Sequence, residues 1–131
     1  WMFLIDLDDF KKVNDQFGHQ AGDMVLVEIA KILQSFDDYD LLISRYGGEE
    51  FMVYVPNQNG GLVRSLANEI RQKVKKSSFD GLGYDIIVTI SVGVSQYNGQ
   101  KKDAFDQSYS RADRALYKAK KQGKDQVVEF E

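Results

Sequence analysis

The stretch LLISRYGGEEFMVYV (41 to 55) decides the fold of this chain. Two apolar, strand-like runs flank a pair of glycines, and glycine enters the positive-φ conformations of two-residue hairpin turns without steric cost. We therefore predict a β-hairpin over residues 40 to 55, with Gly47 and Gly48 at its tip. Two glutamates follow the tip directly, so the hairpin presents carboxylates at a turn.

Helices and further strands are predicted on both sides of the hairpin. The run WMFLIDL (1 to 7) is apolar and of strand length, which is typical of a strand buried on both faces. Apolar residues at three- and four-residue spacing predict helices, and β-branched runs predict strands. The predicted elements are helices over 9 to 17, 21 to 36, 62 to 74 and 103 to 122, a turn at Gly81 to Gly83, and strands over 84 to 97 and 127 to 130.

The order of these elements, β-α-α-β-β-α-β-α-β, indicates the fold class. One hairpin and several crossovers favour an α+β fold, a mainly antiparallel central sheet flanked by helices and related to the ferredoxin-like split βαβ arrangement. Gly123 is expected to end the last helix. The residues of that helix predicted to face inward are Phe105, Tyr109, Ala112, Leu116 and Ala119.

Length and composition exclude several classes of protein. A chain of 131 residues suits one domain, residues 1 to 131, that buries its core without cross-links, and the absence of cysteine excludes disulfides and thiol chemistry. With 17 basic and 20 acidic residues the formal net charge is −3, which argues against nucleic-acid binding. No apolar run approaches the roughly 20 residues of a membrane span. Because the sequence starts inside a predicted strand, we expect a piece of a longer protein.

Carboxylates cluster at two predicted strand ends. Asp6 ends the first strand and Glu49 leaves the hairpin tip, so the two could share a divalent cation if their strands are neighbours. Magnesium suits such a site because it takes oxygen ligands and completes its octahedron with water and substrate phosphates. The alternative is structural: Asp8 or Asp9 caps the following helix, and the glutamates are solvated turn residues.

Five blocks carry a family resemblance along nearly the whole chain. They are DLDDFKKVND (6 to 15), GHQAGD (18 to 23), RYGGEEF (45 to 51), SVGVS (91 to 95) and RADRALYKAKKQGKD (111 to 125). In order and spacing the chain resembles the GGDEF family, the diguanylate cyclases. The resemblance implies that two GTP molecules are joined into cyclic di-GMP with release of two pyrophosphates. It also implies a fold similar to that of nucleotidyl cyclases and the polymerase palm.

The resemblance implies a role for individual residues around the metal. Asp6, the Leu7 carbonyl and Glu49 would hold Mg²⁺, or Mn²⁺ in its place. Glu49 or Glu50 would receive the proton of the attacking 3′-hydroxyl, and the sequence does not separate the two. Arg45 would stabilise charge on the transferred phosphoryl group, with an ordinary strand arginine as the alternative.

Substrate-binding roles are implied in the same way. Asn14 and Asp23 match the pair that binds the guanine base in the family. The Asp23 carboxylate could accept hydrogen bonds from the N1–H and amino groups of guanine. The alternative for Asp23 is a surface helix carboxylate. The residues matched to the triphosphate are Phe10, Lys11, Gly47, Gly48, Lys120 and Lys124. Lysines near a helix C-terminus also interact favourably with the helix dipole, so Lys120 and Lys124 could have a purely structural role instead.

Three features depart from the family pattern. Residues 38 to 41 read Asp-Tyr-Asp-Leu where many members carry the RxxD motif of product inhibition. Lys124 stands where arginine is more common, and the sequence begins at the first predicted strand, after the position of the segment that usually precedes it in the family.

Partners and rival functions follow from the resemblance. Catalysis requires a homodimer, whereas the isolated domain is expected to be monomeric, cytoplasmic and without membrane contact of its own, even if the full-length protein is membrane-anchored. The alternative is a catalytically weak module of the same fold that binds GTP or cyclic di-GMP. A third reading is a structural domain that dimerises and transmits signals.

Overall fold

The computed structural model describes residues 1–77, 79 and 86–131, and these contain the predicted strands and helices in the predicted order. The strands are β1 (Met2–Leu7), β2 (Leu42–Arg45), β3 (Glu50–Tyr54), β4 (Ile90–Ser95) and β5 (Val127–Glu129). The helices are α1 (Phe10–Phe17), α2 (His19–Gln34), α3 (Gly60–Lys76) and α4 (Ala104–Lys121), with a short 3₁₀ helix at Asp37–Tyr39.

The strands form one mixed sheet in the order β2-β3-β1-β4-β5. Three of its four pairings are antiparallel, and β4 pairs with β5 in parallel. The parallel pair follows from chain order, because α4 forms the crossover that two parallel neighbours need. The predicted mainly antiparallel α+β sheet is confirmed, and β1 lies at its centre.

Both faces of β1 are buried, as its apolar run predicts. Phe3, Ile5 and Leu7 pack into the main core with α1, α2 and α3, whereas Met2 and Leu4 pack against α4 on the opposite face. The chain therefore buries alternate residues of β1 under different helices.

Gly93 allows α4 to lie directly on β4. A Cβ at this position would lie 2.5 Å from the backbone nitrogen of Leu116 and 3.0 Å from its Cα, and closer still to the carbonyl oxygen of Ala112. A glycine is needed here because helix backbone occupies the space of a side chain.

The hairpin is confirmed, but its predicted two-residue turn is wrong. Arg45 pairs with Phe51, and the Tyr46 N–H donates to the Glu50 carbonyl at 2.9 Å, so the loop contains the three residues 47–49. Neither glycine of the tip has a positive φ. The first glutamate of the motif therefore belongs to the loop, and the second begins β3.

Two further predictions need correction. The strand predicted over 84–97 is shorter, since residues 86–89 are not strand and β4 begins at Ile90; residues 84–85 and the turn at Gly81 to Gly83 lie outside the described residues. Phe105 is 44% exposed instead of inward. The four-residue spacing of α4 buries Ala104 and Ser108 instead, which turns Phe105 beside the buried stripe.

The end of α4 agrees with the prediction. Gly123 has a φ of 118°, and the Lys124 N–H donates to the Ala119 carbonyl at 3.0 Å. This bond satisfies a terminal helix carbonyl, as is usual where a helix ends at glycine. None of the described helices is both long and apolar enough to cross a membrane.

Candidate active site

Two acidic residues lie side by side near the end of β1. Asp6 pairs with Glu50 of β3 in the sheet register, so the two side chains lie on the same face of the sheet. Burial raises the pKa of Asp6, and burial together with the Asp6 charge raises the pKa of Glu50. Raised carboxyl pKa values indicate a shortage of compensating positive charge, which a bound cation would supply.

Glu49 approaches the same place from the hairpin loop. Its carbonyl accepts the Leu7 N–H at 3.3 Å, which ties the loop to the end of β1. Burial and the nearby Asp6 charge raise the pKa of the Glu49 carboxyl. The structure therefore brings Asp6 and Leu7 close to Glu49 and Glu50, although the two pairs are more than 40 residues apart in sequence.

Arg45 supports the loop that carries Glu49. Its Nε donates to the Gly47 carbonyl at 3.3 Å, and its Nη2 donates to the Gly48 carbonyl at 2.7 Å. The side chain is exposed, and these contacts direct its guanidinium to the loop backbone. Arg45 and both glycines thus belong to one structural unit beside the carboxylates.

Lys120 brings a positive charge from α4 to the end of β1. Its Nζ lies 2.7 Å from Asp8 Oδ1 and 3.3 Å from Asp6 Oδ1, and it donates to the Leu7 carbonyl at 3.2 Å. An ammonium group has three N–H donors, so these three acceptors can satisfy it completely.

Asp8 is a residue whose role the sequence analysis missed. Its side chain is 2% exposed and accepts hydrogen bonds from Thr89, Ser91, Lys120 and the Asp125 N–H. Burial alone would raise its pKa, but these hydrogen bonds together hold the pKa of Asp8 below its usual value. Ser91, in the apolar run ISVGVS, was the available signal, because a buried hydroxyl needs a partner.

Three of the predicted phosphate-binding residues lie where β1 leads into α1: Phe10, Lys11 and Lys124. Lys124 contacts Asp9 at 2.6 Å, directly before the first turn of α1, where Lys11 is exposed and Phe10 is buried. The Asp9 hydrogen bond raises the pKa of Lys124. Neither Asp8 nor Asp9 caps α1 with its side chain, so the capping alternative is wrong.

Asn14 and Asp23 lie at the contact between α1 and α2. A Cβ at Gly22 would collide with Asn14 Oδ1, so the asparagine packs directly on the second helix beside Asp23. Asn14 Oδ1 is buried and has no hydrogen-bond partner among the described residues, whereas Asp23 is exposed. A buried amide oxygen without a hydrogen-bond partner lowers the stability of a protein. Such groups are therefore uncommon, and one of them can indicate a binding site.

The donor atoms fit magnesium, whose remaining ligands can be water molecules or substrate phosphates. Within the described ranges, no group of three or more acidic or histidine side chains could hold a metal ion by itself. Asp6 and Glu50 nevertheless offer adjacent carboxylates, and the Leu7 carbonyl beside them already accepts a cationic group, the ammonium of Lys120. Magnesium commonly binds proteins through one or two carboxylates plus phosphate oxygens and water, so this set is sufficient.

The sheet order and the carboxylate cluster at the end of β1 define a domain with the palm-like fold of nucleotidyl cyclases. The sequence model of the family described as "Diguanylate cyclase, GGDEF domain" matches residues 1–126. This chain therefore belongs to the GGDEF family.

Similar proteins agree with this assignment. Diguanylate cyclase A of Treponema denticola is 43% identical over 127 residues, covering 97% of this chain and 34% of the relative. Diguanylate cyclase DgcM of Escherichia coli is 39% identical over 127 residues, covering 97% of this chain and 30% of the relative. The chain thus spans about a third of the length of these curated relatives.

Solved structures share the whole fold. The active GGEEF domain of a diguanylate cyclase from Vibrio cholerae has a TM-score of 0.88 and 34% identity, covering 99% of this chain and 81% of that one. The GGDEF domain of DgcB from Caulobacter crescentus, in complex with c-di-GMP, has a TM-score of 0.88 and 29% identity, covering 98% and 75%.

Proposed function

We propose that this domain joins two GTP molecules into cyclic di-GMP and releases two pyrophosphates. The observation that carries the proposal is the meeting of Asp6, Glu50 and Lys120 at one end of β1 in a chain of the GGDEF family. Carboxylates can hold a divalent cation, and a lysine beside them can contact the phosphates that the cation bridges. The first turn of α1 lies next to them, where backbone N–H groups favour phosphate.

Asp6, the Leu7 carbonyl and one glutamate would hold the magnesium ion. The register favours Glu50 over the predicted Glu49, because Asp6 and Glu50 are paired across β1 and β3 and lie on the same face of the sheet. A bound Mg²⁺ would neutralise charge on the triphosphate and lower the pKa of the attacking 3′-hydroxyl.

Glu49 is then the proposed proton acceptor. The 3′-oxygen of one GTP attacks the α-phosphorus of the other, the bond to the β-phosphate breaks, and pyrophosphate leaves. The hydroxyl proton passes to the Glu49 carboxylate. Burial and the Asp6 charge raise the pKa of Glu49, which makes it a better base than an ordinary surface glutamate.

Guanine would be read by Asn14 and Asp23 at the contact between α1 and α2. The unpaired buried oxygen of Asn14 supports a ligand near this contact. Asp23 is exposed and free to accept from the N1–H and amino groups of guanine, an edge that adenine does not present.

Two copies of the domain must cooperate, because the product needs two reciprocal attacks and the proposed residues build a single triphosphate site. We expect two copies to face each other across a two-fold axis with the substrates between them. The isolated domain is expected to be a monomer at micromolar concentration, with turnover rising faster than linearly in protein concentration. We also propose a cytoplasmic location for the domain, because the proposed substrate is GTP.

The decisive experiment incubates the domain with GTP and Mg²⁺ over a hundredfold range of protein concentration and separates the products by chromatography. Cyclic di-GMP and pyrophosphate are the expected products. Cyclic di-GMP added at the start should not inhibit the reaction by the RxxD route, because residues 38 to 41 lack that motif. Bound but unchanged GTP at the highest concentration would instead support a binding module.

The two glutamates are separated by Glu49→Gln and Glu50→Gln. Both variants should lose turnover, but only Glu50→Gln should also weaken Mn²⁺ binding measured with a GTP analogue that cannot react. If Glu49→Gln alone weakens Mn²⁺ binding, the two roles are exchanged.

A further inference from the structure

Asp8 has no assigned role in the proposed reaction, yet it organises the surroundings of the site. Its Oδ1 accepts from Ser91 Oγ and Lys120 Nζ, both at 2.7 Å. Its Oδ2 accepts from Thr89 Oγ1 at 2.7 Å and from the Asp125 N–H at 3.0 Å. One carboxylate thus joins β4, α4 and the turn before β5.

The same contacts exclude Asp8 as a metal ligand. Each of its oxygens already accepts two hydrogen bonds, which uses the lone pairs of a carboxylate. Its side chain is 2% exposed, whereas that of Asp6 is 17% exposed. Two aspartates two positions apart therefore differ in function: Asp6 can take an external cation, and Asp8 is occupied by internal donors.

Lys120 connects the two aspartates. Of its three acceptors, Asp6 and the Leu7 carbonyl are the atoms proposed to hold the metal, and they lie at 3.3 and 3.2 Å. The shortest contact, 2.7 Å, is to Asp8. The ammonium group thus occupies ligand atoms of the cation site, but its strongest partner is outside that site.

We propose that Asp8 is a positioning residue that acts through Lys120. The lysine ammonium rests on the Leu7 carbonyl and Asp6 as a substitute cation, and Asp8 retains the ammonium beside the site when a divalent cation takes its place. Without the Asp8 charge, Asp6 becomes the remaining carboxylate partner of the lysine, and lysine and metal compete for it. This inference rests on the proposed function only for the location of the cation site.

The test measures binding of Mn²⁺ alone, without nucleotide, by the loss of the free Mn²⁺ signal in electron paramagnetic resonance. Asp8→Asn should weaken Mn²⁺ binding about tenfold, the usual scale for a residue that orients metal ligands. In a Lys120→Met background the same substitution should change affinity less than about twofold, because the competing ammonium is absent. Lys124→Met is the matched control: it removes an equal charge that contacts Asp9 and not the ligand atoms, so the tenfold effect should persist there.

Two results would overturn the proposal. Equal Asp8→Asn effects with and without Lys120 would mean that Asp8 acts by its own charge, and no effect in the native background would mean that it does not act on the site at all. Because Mn²⁺ binding is measured without GTP, failure of this cycle is distinct from failure to make cyclic di-GMP.

A second comparison decides the matter if thermal melting shows that Asp8→Asn does not fold. Lys120→Met should bind Mn²⁺ at least about threefold more tightly than Lys124→Met, because it alone frees the Leu7 carbonyl and Asp6. Equal affinities in these two variants would refute the role of Lys120 as a substitute cation, and with it the role of Asp8.

Discussion

Replacing Gly93 with alanine should destabilise the domain strongly, because the added methyl group meets backbone and not a flexible side chain. The new Cβ would lie 2.5 Å from the Leu116 nitrogen and 3.0 Å from its Cα, where ordinary contacts begin near 3.4 Å. Relief requires α4 to move away from β4. Overpacking of a dense core costs typically 1–3 kcal/mol, and a contact with rigid backbone belongs near the upper end, about 3 kcal/mol.

Thermal unfolding gives the expected magnitude. A chain of 131 residues loses roughly 3–5 °C in Tm for each kcal/mol, so Gly93→Ala should lower Tm by about 10 °C or more. Since α4 also carries Lys120, the same movement should reduce GTP turnover beyond the loss of folded protein. Differential scanning calorimetry and turnover at a temperature where both proteins are folded measure the two effects.

Gly61→Ala is the matched control for this substitution. The residue lies in the first turn of α3, and a Cβ there would meet Asn59 Oδ1 at an ordinary 3.5 Å. Its Tm should stay the same or rise slightly, because alanine favours a helix over glycine. If Gly93→Ala is as stable as Gly61→Ala, the close packing of α4 on β4 described above is incorrect.

Three other substitutions test the site and its surroundings. Asp6→Asn should abolish cyclic di-GMP formation while Tm is kept or slightly raised, since burial raises the pKa of Asp6 and a neutral amide removes that unfavourable charge; full activity would refute the metal assignment. The native domain should bind GTP at least about tenfold more tightly than ATP in calorimetry, because adenine offers the Asp23 carboxylate no matching donors. Asp23→Ser should reduce this difference in affinity. Equal affinities of the native domain for GTP and ATP would refute guanine recognition by Asp23. Burial alone would raise the pKa of Asp125, but the ion pairs with Lys75 and Arg71 hold this pKa below its ordinary value of 3.8. These ion pairs therefore stabilise the fold above pH 3.8, and their contribution is lost as the pH falls further. The difference in Tm between the native protein and Asp125→Asn should shrink from pH 6 to pH 3, and a constant difference would contradict the assignment.

The local pattern of the sequence was sufficient for most of the fold. The apolar run of β1, the paired runs of the hairpin and the periodicity of the helices each depend on neighbours within a few residues, and all were confirmed. The turn of the hairpin was not predictable in this way, because its register is coupled to β1 through the Asp6–Glu50 pair. The prediction of the inward face of α4 was wrong at the first turn. Phe105 is apolar, but its position around the helix axis places it beside the buried stripe that contains Ala104 and Ser108.

The site was predictable where one motif carries the chemistry and unpredictable where distant residues meet. Asp6 and the two glutamates were found from their strand ends, and the structure brings them together. Asp8 was missed because all its side-chain partners are at least 81 residues away. No periodicity or spacing within the DLDD segment indicates which of its carboxylates turns into the protein.

The contrast between Asp6 and Asp8 explains how the domain can be stable and still bind a cation. Asp8 has its full set of donors, so its charge joins three elements and favours the fold. Asp6 has a shared lysine and two neighbouring glutamates, so its charge and theirs repel one another in the unliganded protein. Asp8 and its donors therefore stabilise the fold, whereas Asp6 and the two glutamates contribute little to stability. A divalent cation bound at Asp6 would relieve that repulsion, which gives part of its affinity a source in the fold itself.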